Sequence, residues 1–438
     1  MSTLFPELLS QFFQIAQNVL VNTWWFWIFF PIFFGARGVW LWWRIGMNYG
    51  KIKWKLIELR VPREILKSPR AMDQILQALS QLQRATHPIK KKYLLGTINP
   101  WITLEMVSFG GDVHFYIRSA DYQVGIIKSS FFSYYPDVEI VEVSDYVDQL
   151  PQNATDMKIG KMEVRCSDLA LKNSPIYQPR TYKDFETPDE AQQFDPISVF
   201  METLASIEKD QFIGIQYNLS HISQNWGRSE KFQKEIKALR ETKYSDKEIA
   251  IGEGNTFSPM LMRSPRETDI LKKVEESCSQ SAFDVGIRVL FITPKIKYND
   301  EFASKKVERI FNQYASADLN YFDNSYRSTT GLSPHRSPVF KIRERRHLRK
   351  TYQLQAYKYR DTGTSTIAAL LQSHWLFWPF RVPETSILTT ETIATLFHPP
   401  TNLVLTAPHT QRVESRKMAA PAGLPIYAEE SQLSRFDS

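Results

Sequence analysis

Alternating apolar and polar positions, interrupted by helical spacing, organise residues 52–150. Alternation over four short stretches predicts half-buried strands at 57–61, 102–109, 113–118 and 138–143. Ser68-Pro69 supplies an N-cap and a proline at the first helical position, and a second helix is predicted over 121–131. Gly110-Gly111 is a two-residue hairpin signal. The predicted order, β-α-β-β-α-β, is that of a ferredoxin-like unit.

A second round of the same pattern covers residues 157–315, with a charged insertion at 220–263. Ser264-Pro265-Arg266-Glu267 is a capping box that opens a helix. Strong alternation from Val285 to Phe291 predicts a strand. We therefore expect a second ferredoxin-like unit, followed by a basic helical and loop-rich region at 316–427 and a tail at 428–438.

The segment 19–43 is almost continuously apolar and contains one charged residue, Arg37. Six tryptophans mark its two ends: Trp24, Trp25, Trp27, Trp40, Trp42 and Trp43. Trp25 and Trp42 are about 26 Å apart along a helix, close to the ~30 Å of a hydrocarbon core. Tryptophan belts at both interfaces are typical of membrane spans. The sequence therefore predicts a transmembrane helix whose tryptophans anchor it in lipid, and Arg37 is expected to snorkel to the nearer interface.

The flanking charges predict the orientation of this helix. Residues 1–23 contain no Lys or Arg, which disfavours a cleavable signal peptide. Residues 44–70 contain eight Lys and Arg against Glu58 and Glu64. The positive-inside rule then predicts a single-pass protein of the inner membrane with its C-terminal body in the cytoplasm. Residues 1–18 have helical apolar spacing, and they fit either an in-plane amphipathic helix or an extension of the span.

The 438-residue chain has a net charge of +7, so the distribution of its basic residues matters more than their sum. The segment 341–360, KIRERRHLRKTYQLQAYKYR, concentrates them. We take as candidate anionic-partner contacts Lys341, Arg343, Arg345, Arg346, Arg349 and Lys350. The segment fits a stripe that docks onto an acidic partner or anionic lipid, an inert solvated face, or a nucleic-acid contact in which tyrosines stack on bases.

Motifs for enzymatic chemistry find little support. Neither Gly50-Lys51 nor Gly160-Lys161 has the context of a P-loop. The eight histidines show no zinc-binding spacing, and His114 is expected on the solvent side of its strand. Cys166 and Cys278 are too far apart in sequence for a CxxC site and are expected in the core. We therefore expect no cofactor, no metal and no catalytic residue.

Five stretches together resemble one bacterial family: 52–76, 102–118, 134–143, 283–295 and 387–400. It is the membrane-anchored N-terminal region, a domain of unknown function, of type IV secretion or conjugation coupling ATPases from small-genome lineages. The resemblance covers roughly residues 20–427. In longer members a motor ATPase domain follows, and this chain ends about where that domain would begin. The resemblance therefore implies a partner ATPase supplied by another chain.

Together these patterns predict an α+β protein with an N-terminal transmembrane helix, two ferredoxin-like units in tandem and a loop-rich C-terminal region. The expected function is a membrane-anchored, non-enzymatic scaffold of a type IV secretion-like system, with lipid and a motor ATPase as partners and self-association as a further option. The alternative is a membrane-tethered nucleic-acid-binding module that uses residues 341–360.

Overall fold

The computed structural model describes residues 14–15, 17–18, 21–61, 68–82, 93–94, 96, 99–186, 195–223, 225–240, 264–324, 330, 342–361 and 385–400. The expectations for residues 1–13 and for the tail at 428–438 lie outside these ranges. The first half of the fold contains α1 (Trp24–Tyr49), β1 (Trp54–Arg60), α2 (Arg70–Leu82), β2 (Ile102–Phe109), β3 (Asp112–Ala120), α3 (Asp121–Tyr134) and β4 (Glu139–Val143).

The second half contains the remaining elements, together with short 3-10 and π-helical turns. They are α4 (Ala154–Ile159), β5 (Met162–Leu171), α5 (Ser198–Ala205), β6 (Phe212–His221), α6 (Glu230–Arg240), α7 (Pro265–Ser279), β7 (Ala282–Pro294), β8 (Phe322–Asn324), α8 (Ile342–Tyr359), β9 (Ser386–Thr389) and α9 (Thr390–Leu396). Near the end of the predicted second unit, the chain forms a π-helical turn, Phe302–Val307, and a 3-10 turn, Ile310–Tyr314.

Local signals account for several element ends. Gly110 and Gly111 have φ values of +59° and +100°, so the predicted two-residue hairpin joins β2 to β3. A Cβ atom on Gly110 would lie 2.6 Å from the Cα of Lys209, which excludes larger residues there. The predicted capping box at α7 is confirmed, because the Ser264 hydroxyl accepts from the Glu267 amide and the Glu267 carboxylate accepts from the Ser264 amide.

Within the described ranges, nine strands form one antiparallel sheet in the order β4-β1-β3-β2-β6-β7-β5-β8, and β9 pairs with β7. The junction between the halves is the pairing of β2 with β6, which runs from Ile102 opposite Leu219 to Phe109 opposite Phe212. Backbone hydrogen bonds therefore continue across the whole width of the molecule.

One face of this sheet carries the main hydrophobic core. Its residues come from strands of both halves, for example Ile57, Leu104 and Ile117 with Ile215 and Val289. Helices α2, α3, α5 and α9 contribute the apolar residues that cover this face. Burial of this shared apolar surface is the main stabilising contribution to a core of this kind.

The expected fold class is therefore wrong in two respects. First, the two halves are not separate ferredoxin-like units, because the β2–β6 pairing and the common core merge them into one large sheet. Second, none of the helices in the described ranges combines the length and the apolarity needed to cross a bilayer. The expectations of a transmembrane helix, a single-pass topology and an inner-membrane location are contradicted by this finding.

The composition of α1 explains the second correction. Each tryptophan carries a polar indole N–H, and the helix also contains Arg37, Arg44 and Asn48. Some of these groups bind the chain itself: Trp40 Nε1 donates to the Tyr93 carbonyl at 3.0 Å, and Arg37 Nε donates to the Tyr93 hydroxyl at 2.9 Å. Belts of aromatic residues are thus not sufficient evidence for a spanning helix.

Candidate functional site

A row of polar side chains crosses the second face of the sheet. Consecutive cross-strand partners on β1, β3, β2, β6, β7 and β5 are Glu58, Tyr116, Glu105, Gln216, Arg288 and Asp168. All six are buried. We call this set the polar row. Buried charged groups require partners, and helix α8 and the residue that follows it supply several of them.

The first group of partners surrounds Arg288. Its Nε donates to Asp168 Oδ1 at 2.7 Å, and its Nη1 donates to the carbonyl of Ala356 on α8 at 2.6 Å. Gln353, one turn earlier on α8, donates to Asp168 Oδ2 at 3.4 Å. Burial acts to lower the pKa of Arg288, but the Asp168 carboxylate outweighs it and the pKa is raised. The Arg288 guanidinium is thus held in its charged form.

The second group surrounds Arg360, which follows α8. Its Nε donates to Glu105 Oε1 at 2.7 Å and its Nη1 donates to Asp145 Oδ2 at 2.6 Å. Arg360 has φ +52°, in the left-handed region that often ends helices. Nearby, the hydroxyls of Tyr146 and Tyr357 are 2.8 Å apart, and Tyr146 stacks on Tyr116. The end of α8 is therefore fixed to the polar row.

The candidate contacts in the basic segment fall into two groups. Arg349 is buried, and Lys350 forms an ion pair with Glu163, so neither offers a free cation at the surface. Lys341 and the side chains of Arg343, Arg345 and Arg346 lie outside the described part of the structure, where the predicted contact stays a prediction. The described portion of α8 therefore packs on the sheet and has a structural role there.

The predicted membrane-anchor tryptophans are placed on α1. Trp40 and Trp43 are exposed and their ring centroids lie 5.4 Å apart. The side chains of Trp24, Trp25, Trp27 and Trp42 lie outside the described part.

His114 is not on a solvated face as expected, because it is part-buried beside the polar row. Its Nδ1 lies 2.7 Å from Glu58 Oε1, and its ring stacks on Tyr116. The hydrogen bond to His114 lowers the pKa of Glu58, although burial opposes it. Among the described residues, no group of three or more His, Cys, Asp or Glu side chains is placed to hold a metal ion.

A second polar region lies at the end of the same face, next to the junction of α1 with β1. A cavity of about 270 Å³ is lined by Trp54, Lys55, Leu56, Arg118, Glu142, Val143, Ser144 and Asp145. The Arg118 guanidinium lies over the Trp54 ring, 4.1 Å from its centroid. Tyr49 at the end of α1 stacks on Trp101, 5.6 Å between centroids, which fixes α1 against this corner.

Sequence reasoning missed both regions, although the signal was present. Glu58, Glu105, Gln216 and Arg288 each lie between two apolar residues of their strand. Alternation assigned these residues to an exposed face, whereas α8 covers a large part of that face. A strand with polar residues at alternate positions can therefore have a second buried side.

A comparison with known protein families identifies the family to which the chain belongs. Residues 52–372 match a domain of unknown function, DUF8128. The match covers well over half of the sequence, so the chain belongs to this family. It begins just before β1 and extends past α8, and therefore includes the polar row and the cavity. No curated protein matches the chain.

Proposed function

We propose that this protein is a non-enzymatic scaffold or assembly subunit of a type IV secretion- or conjugation-like system that positions a motor ATPase supplied by another chain. One observation carries the proposal, an exposed apolar stripe on α1. Its members are Phe29, Ile32, Phe33, Val39, Trp40, Trp43 and Met47, each between 47% and 64% exposed. At 3.6 residues per turn they fall within about a third of the helix circumference.

A large exposed apolar surface rimmed by polar groups is typical of a protein interaction site. Arg37 and Arg44 flank this stripe on one side, and their described partners are the Tyr93 hydroxyl and the Leu94 carbonyl rather than carboxylates. The stripe therefore suits an apolar groove with an acidic rim. The charges of the polar row favour a structural role, because each is paired within the chain. Arg288 pairs with Asp168, and Glu105 pairs with Arg360.

The nucleic-acid alternative has less support. It requires the cations of residues 341–360 to face solvent, whereas Arg349 is buried and Lys350 is paired with Glu163. Lys358 donates to Gln152 Oε1 at 2.8 Å. These three cations are engaged within the chain, which leaves the alternative to Lys341, Arg343, Arg345 and Arg346.

The test is affinity purification of the tagged full chain from its own host, followed by mass spectrometry. We expect a P-loop motor ATPase to be retained. The double variant Ile32→Asp, Val39→Asp should reduce its recovery about tenfold or more, because charges in an apolar interface are costly. Ile126→Asp on α3 is the matched control, since Ile126 is an exposed apolar residue away from the stripe. It should leave recovery unchanged.

Two results would contradict the proposal. One is that the wild-type chain retains no P-loop ATPase. The other is that the double variant retains it as well as the control does. Sedimentation of the same variants distinguishes ATPase binding from self-association. If the stripe joins two copies of the chain, the double variant would lose the dimer while ATPase recovery stayed constant. The proposed role of the stripe would then be wrong.

A further inference from the structure

The cavity beside Arg118 is a built polar site. Arg118 is more than nine-tenths buried on β3, with 8% of the residue's surface exposed. Among the described residues, its Nη1 has no hydrogen-bond partner, and neither does the buried Nε1 of Trp54. Both atoms are N–H donors of residues that line the cavity. Unpaired buried donors are uncommon in proteins and call for an explanation.

The other charged residues of the lining are already engaged. Lys55 bridges Asp121 and Glu142 at 2.9 and 3.0 Å. Glu142 also accepts from Lys128 at 3.0 Å, and Asp145 binds Arg360. The contacts of Arg118, in contrast, are with the Tyr49 hydroxyl and the Trp54 ring. Arg118 is therefore the lining cation whose contacts are aromatic side chains rather than carboxylates.

The electrostatics of Arg118 agree with this. Burial lowers its pKa, and the nearby Arg360 guanidinium lowers it further, whereas Tyr49 and the Glu105 carboxylate offset this only in part. A bound acceptor with negative charge would offset both effects. Two buried donors on residues that line one cavity, one of them on a cation with no direct carboxylate contact, complement an oxyanion.

We propose that this cavity binds a small molecule through an oxyanion, a carboxylate or a phosphate, which accepts hydrogen bonds from Arg118 Nη1 and Trp54 Nε1. The volume of about 270 Å³ exceeds that of one such group, since a water occupies about 30 Å³. The ligand therefore extends beyond its oxyanion, along Leu56 and Val143. This site is separate from the stripe on α1 and does not depend on the proposed scaffold role.

The test is isothermal titration calorimetry of the full chain with inorganic phosphate and, separately, with succinate at low ionic strength. We expect saturable binding of at least one probe, and the stronger one identifies the headgroup. Arg118→Gln should weaken it about tenfold or more, since a charge-assisted hydrogen bond is lost. Trp54→Phe keeps an aromatic ring beside Arg118 and removes the indole N–H together with one ring of the indole, and should weaken binding by a factor of about 3–10.

The control is Lys305→Gln, a paired lysine that is exposed and lies outside the lining, and it should change affinity by less than about twofold. Arg118→Gln removes a buried charge, so Trp54→Phe serves as the milder variant if the former fails to fold. Absence of binding of both probes to the wild-type chain would overturn the proposal. So would equal weakening by Lys305→Gln and Trp54→Phe, which would indicate non-specific attraction to surface charge.

Discussion

Arg360 and Glu105 form a buried ion pair that joins the residue after α8 to the central strand β2. Their side chains are 1% and 0% exposed, and two hydrogen bonds of 2.7 and 3.3 Å connect them. Burial acts to lower the pKa of Arg360, and Glu105 is the largest influence that opposes it, so the pKa is raised. Because both side chains are buried, water could not replace either charged partner if the other were removed. The attachment of α8 to the sheet therefore depends on this ion pair.

We predict that Arg360→Met destabilises the protein by about 3–5 kcal/mol, because it leaves Glu105 as an uncompensated buried charge. The measurement is the free energy of unfolding in urea. Lys305→Ala is the control, since Lys305 pairs with Glu301 in an exposed i,i+4 arrangement and should cost no more than about 0.5 kcal/mol. A loss below about 1 kcal/mol for Arg360→Met would contradict the assigned role of the pair.

We predict an acid-dependent loss of stability that comes from Glu58. Folding lowers the pKa of this carboxyl from its ordinary value of 4.5, chiefly through His114. Its stabilising contribution is therefore present above pH 4.5 and is lost as the pH falls below that value through the folded pKa. Glu58→Gln should make the free energy of unfolding less dependent on pH in that window.

The matched variant for this prediction is His114→Gln, which removes the main cause and should flatten the same part of the curve. Unfolding free energies measured between pH 3 and pH 6 provide the check. An unchanged slope in both variants would show that other carboxyl groups determine the acid behaviour.

We predict that both thiols react slowly in the folded protein. Burial raises the pKa of Cys278 to about 11 and raises that of the enclosed Cys166 well above its ordinary value. Since the thiolate is the reactive form, alkylation at pH 7.5 should be slow at Cys278 and slower at Cys166. Mass spectrometry with and without urea measures it, and rapid native labelling of Cys166 would contradict its placement.

We predict that Gly214→Ala is destabilising by about 1–3 kcal/mol, as overpacking usually is. A Cβ atom at this position of β6 would overlap the hydroxyl of Tyr357, and it would lie 2.8 Å from the ring carbon that carries the hydroxyl. Tyr357→Phe in the same chain should recover part of the loss in urea unfolding. If the double variant is no more stable than Gly214→Ala alone, α8 does not lie against β6 as described.

The sequence predicted local elements well and their assembly poorly. The strand at 102–109, the Gly110-Gly111 turn and the Ser264 cap depend on neighbouring residues, and all three are present. The pairing of β2 with β6 joins residues about a hundred positions apart, and nothing local distinguishes a strand at an edge from one that continues a sheet. Because of this pairing, the protein has one large sheet instead of the two separate ferredoxin-like units that the sequence predicted.

The site was hidden for a related reason. A polar residue in a strand is usually exposed, so Glu105 and Gln216 gave no indication that α8 covers them. The positive charge of residues 341–360 likewise suggested a partner outside the chain, whereas Arg360, which was not among the candidate contacts, binds Glu105 and Asp145 within it. Charge complementarity between distant segments requires the fold to be known first.

The continuous β2–β6 pairing has a consequence for dissecting the molecule. If residues 52–150 were expressed alone, β2 (Ile102–Phe109) would become an edge strand of the sheet. The backbone donors and acceptors that pair with β6 in the full chain would then have no partner. An exposed edge strand of this kind pairs readily with a strand of another molecule. Fragments cut between the halves are therefore expected to exchange strands or to precipitate, and deletion experiments are better designed around whole-sheet variants.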